Sequence, residues 1–145
     1  MKPAATIPEV LAQAAAARPD QLAVQLISFG YKFGIPLEAD LVFDTRFIQN
    51  PYYVPELREL SGLTEPVRDF VLAQPGAAEY LDLIGRLLEF SIPAFGDEGK
   101  SRLTVAIGCT GGRHRSIVFA EELARRLREE GHGPVEVFHR ELERK

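Results

Sequence analysis

The chain has 145 residues, with 17 Lys and Arg against 21 Asp and Glu, so its formal net charge is −4. This length fits one domain, since roughly 100–200 residues is usual per domain, and it suffices to bury a core. With 46% hydrophobic and 26% charged residues, the composition excludes a disordered chain. No apolar run reaches the roughly 18 residues of a membrane span. A single cysteine, Cys109, excludes an internal disulfide framework. These features predict a soluble, cytoplasmic protein, and the acidic balance argues weakly against general nucleic-acid binding.

The first elements predicted along the chain are a short helix over residues 7–18 and two strands. Residues 21–29 are rich in β-forming residues and end at Gly30, and residues 41–46 form a second, shorter strand. Only about ten residues separate the two strands, which is fewer than a parallel crossover usually needs. Their relative direction is therefore open at this point.

The middle of the chain predicts a loop followed by two helices. Residues 50–63 have neither helical nor strand periodicity and are interpreted as an ordered loop. Thr64 is positioned to cap a short helix, which Pro75-Gly76 breaks. Residues 77–92 form an amphipathic helix, with Leu87 among its expected core positions, and residues 96–100 form a turn.

The last third of the chain predicts a strand, a helix and a strand. Residues 102–107 are typical of a buried strand, residues 114–130 of a helix and residues 134–138 of a short final strand. On the solvent side of the long helix, two i,i+4 ion pairs are expected, Glu121/Arg125 and Glu122/Arg126. The alternation predicts a single-domain α/β sandwich with a mainly parallel central sheet, whose ligands bind at the carboxyl ends of the strands.

A glycine-rich turn lies between the buried strand and the long helix, with the sequence Gly108-Cys109-Thr110-Gly111-Gly112-Arg113-His114-Arg115-Ser116. Such a turn lets consecutive backbone N–H groups point at one anion, and the helix N-terminus adds partial positive charge. Cations in the first helical turn are unfavourable unless an anion is present, yet Arg113, His114 and Arg115 all stand there. We therefore predict an anion or phosphate site. The alternative is a tight turn with solvated basic side chains.

Cys109 and Arg115 also match a pattern of cysteine-dependent phosphatases, a cysteine followed after five residues by Arg-Ser. In those enzymes the thiolate attacks phosphorus while loop amides and the arginine hold the phosphoryl oxygens, and Asp44 could act as general acid. Gly108 stands where tyrosine phosphatases usually have a histidine. A small buried cysteine that packs as a hydrophobe is the simpler interpretation.

Charged residues also follow other strands. Asp44 could bind a sugar hydroxyl or amine, and Arg46 could add to a phosphate clamp, or the two could pair with each other. Arg140, after the last strand, would lie at the same sheet edge or in a frayed terminus. Lys32 stands between two aromatic residues, which suits an RNA contact or an exposed turn. The sequence has no P-loop or dinucleotide motif and no metal-ligand spacing among its three histidines, so no metal or cofactor is expected.

Several ordered blocks resemble the carboxy-terminal domain of the RapZ/YvcJ family of RNase adapter proteins. They are SFGYKFGIP at 28–36, VFDTRF at 42–47, NP at 50–51, LSGL at 60–63, LTVAIGCTGGRHRS at 103–116 and HRELE at 139–143. On this resemblance, residues 21–145 are identified as such a domain and residues 1–20 as an amino-terminal helix or extension. The resemblance implies a fold similar to a phosphofructokinase subdomain.

The resemblance further implies a non-enzymatic domain that senses a phosphorylated amino sugar such as glucosamine-6-phosphate and binds RNA as an RNase adapter. The family pocket maps onto Asp44, Thr110, Gly111, Gly112, His114 and Arg115, and an RNA contact maps onto Lys32. The full predicted ligand set adds Arg46, Asn50, Tyr52, Arg113 and Ser116, and the predicted RNA set adds Arg140, Arg144 and Lys145. The alternative function is a phosphatase that uses Cys109 and Arg115.

Two departures from the family pattern affect these expectations. Tyr52 stands where the best-known member has a histidine, so one pocket contact differs. Only Arg144-Lys145 follows an acidic stretch where that member has a basic tail, which predicts weaker RNA binding. The family's P-loop domain is not in this sequence, so a stand-alone protein without nucleotide hydrolysis is expected. The expected partners are a sugar phosphate or inorganic anion, RNA, a separate nucleotide-binding or nuclease protein and a second copy in a homodimer, but no membrane.

Overall fold

A computed structural model describes residues 22–144, and its centre is a sheet of four strands. The strands are β1 (Ala23–Gly30), β2 (Leu41–Asp44), β3 (Arg102–Cys109) and β4 (Val135–His139). Their order is β2-β3-β1-β4, and every neighbouring pair is parallel. The predicted α/β fold with a parallel sheet is confirmed. The predicted helix over residues 7–18 lies outside the described residues, as does Lys145.

The direction of the second strand, which the sequence left open, is resolved by the strand order. β2 pairs with β3 and not with β1, through partners such as Phe43 and Ile107. β3 therefore lies between the first two strands of the chain. The right-handed crossover rule places the β1–β2 connection on the sheet face opposite the one that carries the β2–β3 and β3–β4 connections.

Three helices pack on one face of the sheet. They are α1 (Glu65–Leu72), α2 (Ala77–Asp97) and α3 (Arg115–Glu129). The core joins sheet residues such as Leu26 and Val105 to helix residues such as Leu88 and Leu123, all fully buried. Single turns of 3-10 helix follow β1, β4 and the β2 loop, at Tyr31–Phe33, Arg140–Glu143 and Pro51–Tyr53 respectively.

The long helix α2 differs from its predicted form at its end and on one face. It continues through Pro93 to Asp97, so the predicted turn over residues 96–100 begins later. Ile92 is fully buried and Phe95 packs against the core, and this packing carries the helix past the proline. Leu87 is 45% exposed, so its predicted core position is wrong.

The ion pairs expected on α3 are also wrong. Glu122 is buried and pairs with Arg125 at 2.7 Å and with Arg68 of α1 at 3.1 Å. Glu121 contacts His139 of β4, at 2.7 Å between Oε2 and Nε2. An i,i+3 neighbour and residues of α1 and β4 therefore replace the predicted i,i+4 partners, because both glutamates also contact other elements of the fold.

Candidate functional site

The carboxyl ends of all four parallel strands meet at one edge of the sheet, and the glycine-rich turn after β3 lies there. Its backbone packs directly against the end of β1. A Cβ atom on Gly30 would lie 2.5 Å from the carbonyl carbon of Gly111, and one on Gly112 would lie 2.5 Å from the Gly30 nitrogen. Gly112 also has φ of 78°, which side chains rarely adopt. Glycine at these positions allows the two backbones to meet.

The buried carboxylate of Glu141 stabilises this contact between the glycine-rich turn and the end of β1. Its Oε2 accepts a hydrogen bond from the Gly30 N–H at 2.9 Å and pairs with Arg140 at 2.7 Å. Its Oε1 pairs with Arg144. Burial alone would raise the pKa of Glu141, but the Gly30 N–H and the two arginines outweigh it and hold the pKa below its usual range. Glu141 is therefore an ionised anchor beneath the loop.

Arg115 is almost wholly buried, with 3% exposure, and connects the glycine-rich turn to the segment after β2. Its Nη1 donates to the carbonyl oxygens of Arg46 at 2.9 Å and Ile48 at 2.7 Å. Its Nη2 lies 3.4 Å from the Thr110 hydroxyl. Its Nε has no hydrogen-bond partner among the described residues. Two of the three guanidinium nitrogens thus contact protein oxygens, and the buried Nε–H has no partner among residues 22–144.

His114, which precedes α3, also has a buried nitrogen without a hydrogen-bond partner in the described residues. The side chain is 7% exposed, and its Nε2 has no partner within residues 22–144. Burial lowers the pKa of His114, and the charges of Arg113 and Arg115 lower it further against the opposing effect of the Leu60 and Arg58 carbonyls. At neutral pH the imidazole is therefore neutral, so it offers a hydrogen bond and not a charge.

Cys109 and Ser116 face each other inside the fold, where β3 ends and α3 begins. The Ser116 N–H lies 3.4 Å from the Cys109 sulfur, and the thiol donates to the Ser116 hydroxyl at 3.2 Å. Both residues are buried. This is the packed cysteine of the simpler interpretation, although Cys109 also borders the cleft described below.

Asp44 and Arg46 form an ion pair, as the alternative interpretation held. The Arg46 Nη2 lies 2.7 Å from the Asp44 Oδ2, and the Arg46 guanidinium also stacks 3.8 Å from the centre of the Tyr31 ring. Hydrogen bonding from Arg46 holds the pKa of Asp44 below its usual range. Neither side chain lines the cleft next to the glycine-rich turn, although the Arg46 carbonyl accepts a hydrogen bond from Arg115.

A cleft of about 460 Å³ opens above the glycine-rich turn. Its lining contains most of the predicted ligand residues, namely Asn50, Tyr52, Thr110, Gly111, Gly112, Arg113, His114 and Arg115, together with Lys32 and Arg144 of the predicted RNA set. The sequence interpretation missed five further lining residues, Phe33, Tyr53, Arg58, Glu59 and Glu141. Phe33 and Tyr53 adjoin predicted residues, and Glu141 lies within the HRELE block, so only Arg58 and Glu59 lack a sequence signal.

Positive charge is concentrated in this cleft although the chain is acidic. Five cations line it, Lys32, Arg58, Arg113, Arg115 and Arg144, against the two carboxylates of Glu59 and Glu141. Some of these cations are held by aromatic rings: Arg58 lies 4.9 Å from the Tyr52 ring centre and Arg144 lies 4.4 Å from that of Phe33. The arrangement is suited to an anionic ligand.

Metal-binding clusters and membrane-spanning helices in the described part of the chain would also indicate function. Residues 22–144 contain no group of three or more His, Cys, Asp or Glu placed to hold a metal ion. Over the same residues, no helix is long and apolar enough to cross a membrane.

Comparison with known proteins identifies the family. The profile of the RapZ C-terminal domain matches residues 22–143, which covers all four strands, the glycine-rich turn and Glu141. The chain belongs to the RapZ C-terminal domain family. The cleft described above is therefore a feature of a RapZ C-terminal domain, and its positive floor and buried glutamate lie within the matched region.

Curated relatives of this RapZ C-terminal domain are similar over most of the chain. A protein of Thermobifida fusca, named "Nucleotide-binding protein", is 52% identical over 128 residues, which is 88% of this chain and 43% of the relative. One of Desulforudis audaxviator with the same name is 53% identical over 125 residues, 86% of this chain and 42% of the relative. The chain thus spans about two fifths of the length of these relatives.

Proposed function

We propose that this RapZ C-terminal domain is a regulatory binding domain that senses a phosphorylated amino sugar, such as glucosamine-6-phosphate, and is not an enzyme. The observation that carries the proposal is the pair of buried, unpartnered nitrogens, His114 Nε2 and Arg115 Nε, in residues that line the cleft at the start of α3. A buried polar atom without a partner is costly. A hydroxyl group of the ligand would satisfy the acceptor nitrogen of the neutral His114, and an acceptor oxygen of the ligand would satisfy the Arg115 Nε–H.

In the proposed complex, the phosphate binds at the floor of the cleft. The backbone N–H groups of residues 110–112 and the N-terminus of α3 supply the anion site, and the exposed Arg113 adds charge. The Nε2 atom of the neutral His114 accepts a hydrogen bond from a hydroxyl group of the ligand. Asn50 and Tyr52 border the sugar, and Asp44 and Arg46 stay predictions as ligand contacts, because they pair with each other outside the cleft.

Coupling to RNA is the second part of the proposal and rests on the basic residues at the mouth of the cleft. Lys32 is exposed there, and Arg144 is partly engaged by Glu141. Arg140 is committed to Glu141 and to the Gly34 carbonyl, at 2.6 Å, so it contributes less than the sequence suggested. Lys145 lies outside the described residues. We further propose that the domain acts as an RNase adapter together with a nuclease or a nucleotide-binding protein. It would do so as a homodimer in the cytoplasm.

Calorimetric titration of the protein with glucosamine-6-phosphate, glucose-6-phosphate and inorganic phosphate tests the anion site. We expect binding of all three, with the sugar phosphates tighter. His114→Phe, which fills the same space without a nitrogen, should weaken sugar-phosphate binding roughly tenfold, the value of one hydrogen bond of about 1.4 kcal/mol. Arg86→Ala, on the exposed surface of α2, is the matched control. Absence of heat with all three ligands would contradict the proposal.

The phosphatase alternative is tested with the same samples. Because the Cys109 thiol and the Arg115 guanidinium are both engaged by protein atoms, we expect no hydrolysis of a panel of phosphomonoesters. Phosphomonoester turnover that disappears in Cys109→Ser would replace the binding proposal with an enzymatic one.

A further inference from the structure

We infer that the outer part of the cleft is a stacking site for a nucleobase, so that the site also takes nucleoside phosphates. The inference rests on the proposed anion site at the floor and extends it, since a nucleoside phosphate is a sugar phosphate that carries an aromatic base. The observations that lead to it are the aromatic rings, the cations and the volume above the glycine-rich turn.

Two tyrosines form an exposed aromatic wall of the cleft. Tyr52 is 50% exposed and Tyr53 is 73% exposed, and both line the cleft on the turn that follows Asn50. Their rings meet edge to face, with centres 5.5 Å apart and planes at 88°. Large exposed rings are costly to leave in water, and in binding grooves they serve as platforms on which bases stack.

The wall is held in place before any ligand binds. The Asn50 Oδ1 accepts a hydrogen bond from the Tyr52 N–H at 3.1 Å, which closes the turn. The Arg58 Nε donates to the Tyr52 carbonyl at 2.8 Å, and the same guanidinium lies over the Tyr52 ring. A planar guanidinium beside an aromatic ring extends the stacking surface, because bases stack on both. The platform therefore loses little freedom when it binds.

The other side of the mouth repeats this combination of ring and cation. Phe33 lines the cleft with the Lys32 amine 5.1 Å and the Arg144 guanidinium 4.4 Å from its ring centre. Neither Lys32 nor Arg58 has a carboxylate partner among residues 22–144. Cations and aromatic rings are therefore available at the mouth, in addition to the anion site at the floor. This arrangement suits a ligand that carries a phosphate at one end and an aromatic ring at the other.

The cleft is large enough to hold a phosphate, a sugar and a base together. Its volume of about 460 Å³ lies in the range of roughly 300–1,000 Å³ that holds drug-sized ligands. A phosphate occupies the floor between residues 110 and 115, and a sugar above it leads to the rings. A base attached to that sugar extends past Tyr52, which borders the sugar, to the exposed ring of Tyr53, which a hexose phosphate leaves unused.

Comparison of ligands with and without the base tests the inference. The intact protein is titrated by calorimetry with ribose 5-phosphate, AMP and UMP. Stacking on one platform is worth roughly a tenfold gain in affinity, so AMP should bind at least about tenfold tighter than ribose 5-phosphate, with UMP in between. The variant Tyr53→Ala should lose this gain and keep its affinity for ribose 5-phosphate, because Tyr52, which borders the sugar, is left in place.

Two further variants serve as controls. Tyr53→Phe keeps the ring and should keep the gain from the base. Phe138→Ala removes an exposed aromatic ring of β4 that does not line the cleft, and it should change nothing. Thermal unfolding of each variant establishes that the fold is retained.

The outcomes separate this inference from the proposed function. If ribose 5-phosphate binds but AMP gains less than about twofold, the stacking site is wrong and the anion site stands. If Tyr53→Ala weakens both ligands equally, the Tyr53 ring contacts the sugar and not a base, which also overturns the inference. If no phosphate compound binds at all, the proposed function fails with it.

One more arm distinguishes a free nucleotide from the end of an RNA chain, which share this chemistry. A short oligoribonucleotide is compared with and without a 5′-phosphate. Tighter binding than AMP, dependent on the 5′-phosphate, assigns the site to an RNA end. Binding no tighter than AMP assigns it to a free nucleotide.

Discussion

Glu141 shows at the scale of single residues how the floor of the cleft is fixed. The carboxylate contacts the Gly30 N–H and two arginines, and its Cγ packs where a side chain on Gly112 would otherwise lie. Because a buried charge is stable only when it is paired, removal of any one of these groups leaves the others unsatisfied. The loop's shape therefore depends on a residue that does not itself belong to the loop.

The two adjacent glycines of the loop give a matched test of this close packing. Gly112→Ala should destabilise the protein by about 1–3 kcal/mol, because its Cβ would lie 2.4 Å from the Glu141 Cγ and its φ is 78°. Gly111→Ala should cost less than about 1 kcal/mol, since no atom lies within 4 Å of the added Cβ. Urea unfolding measures both. Equal losses would contradict the proposed packing.

Sequence predicted the residues of the glycine-rich turn but not what holds them. A strand, two glycines and three cations in a helical first turn have a local physical signature, so the turn could be found without a structure. Glu141 has no such physical signature, only its place in the HRELE block, because an acidic residue in a charged tail is usually solvated. The ion pair between Asp44 and Arg46 likewise depends on side-chain geometry. The sequence allowed either this pair or contacts of both residues with a ligand.

At the scale of elements, α2 shows which features of a helix can be predicted from apolar periodicity. The apolar spacing identifies the helix and most of its core positions. It does not identify its end, since burial of Ile92 and Phe95 outweighs the cost of Pro93. It also does not separate Leu87 from Leu88, because neighbouring positions at the border of an apolar stripe differ only in what packs over them.

Leu87 and Leu88 provide the test at this scale. Leu88 is fully buried, so Leu88→Ala should destabilise the protein by about 2–5 kcal/mol through lost burial and the cavity it leaves. Leu87 is 45% exposed, and Leu87→Ala should cost less than about 1 kcal/mol. Chemical unfolding of the two variants checks the difference. A larger loss at Leu87 would mean that another surface covers this face of α2.

For the whole molecule, the distribution of charge matters more than its sum. The net charge of −4 argued against an anionic partner, yet the cleft collects five of the cations. Composition cannot reveal this, because the positive residues come from segments more than 100 positions apart, from Lys32 to Arg144. Only the strand order, with β1 between β3 and β4, brings them to one edge.

The same charge distribution predicts how stability responds to acid. The folded structure lowers the pKa of Asp44, Glu122 and Glu141 through their arginine partners, and burial lowers that of His114. The unfolded chain therefore binds more protons as pH falls, so the free energy of unfolding should decrease on acidification. The decrease begins near the ordinary His pKa of about 6.5 and steepens through the ordinary carboxyl range of about 4.

Urea unfolding at a series of pH values measures this slope. Glu122→Gln should flatten the acidic part of the curve, because it removes one group whose pKa differs between the two states. Glu89→Gln, on the exposed face of α2, is the control and should leave the slope unchanged. Stability that stays constant or rises between about pH 7 and about pH 4 would contradict the assignment.

The hydrogen bond between Gly30 and Glu141 joins residues 111 positions apart. During synthesis, the strand that ends at Gly30 leaves the ribosome long before its neighbours β3 and β4 exist, and the loop that it supports cannot be fixed until Glu141 has emerged. A chain that lacks the HRELE segment would carry the complete glycine-rich turn without the carboxylate that anchors it to the end of β1.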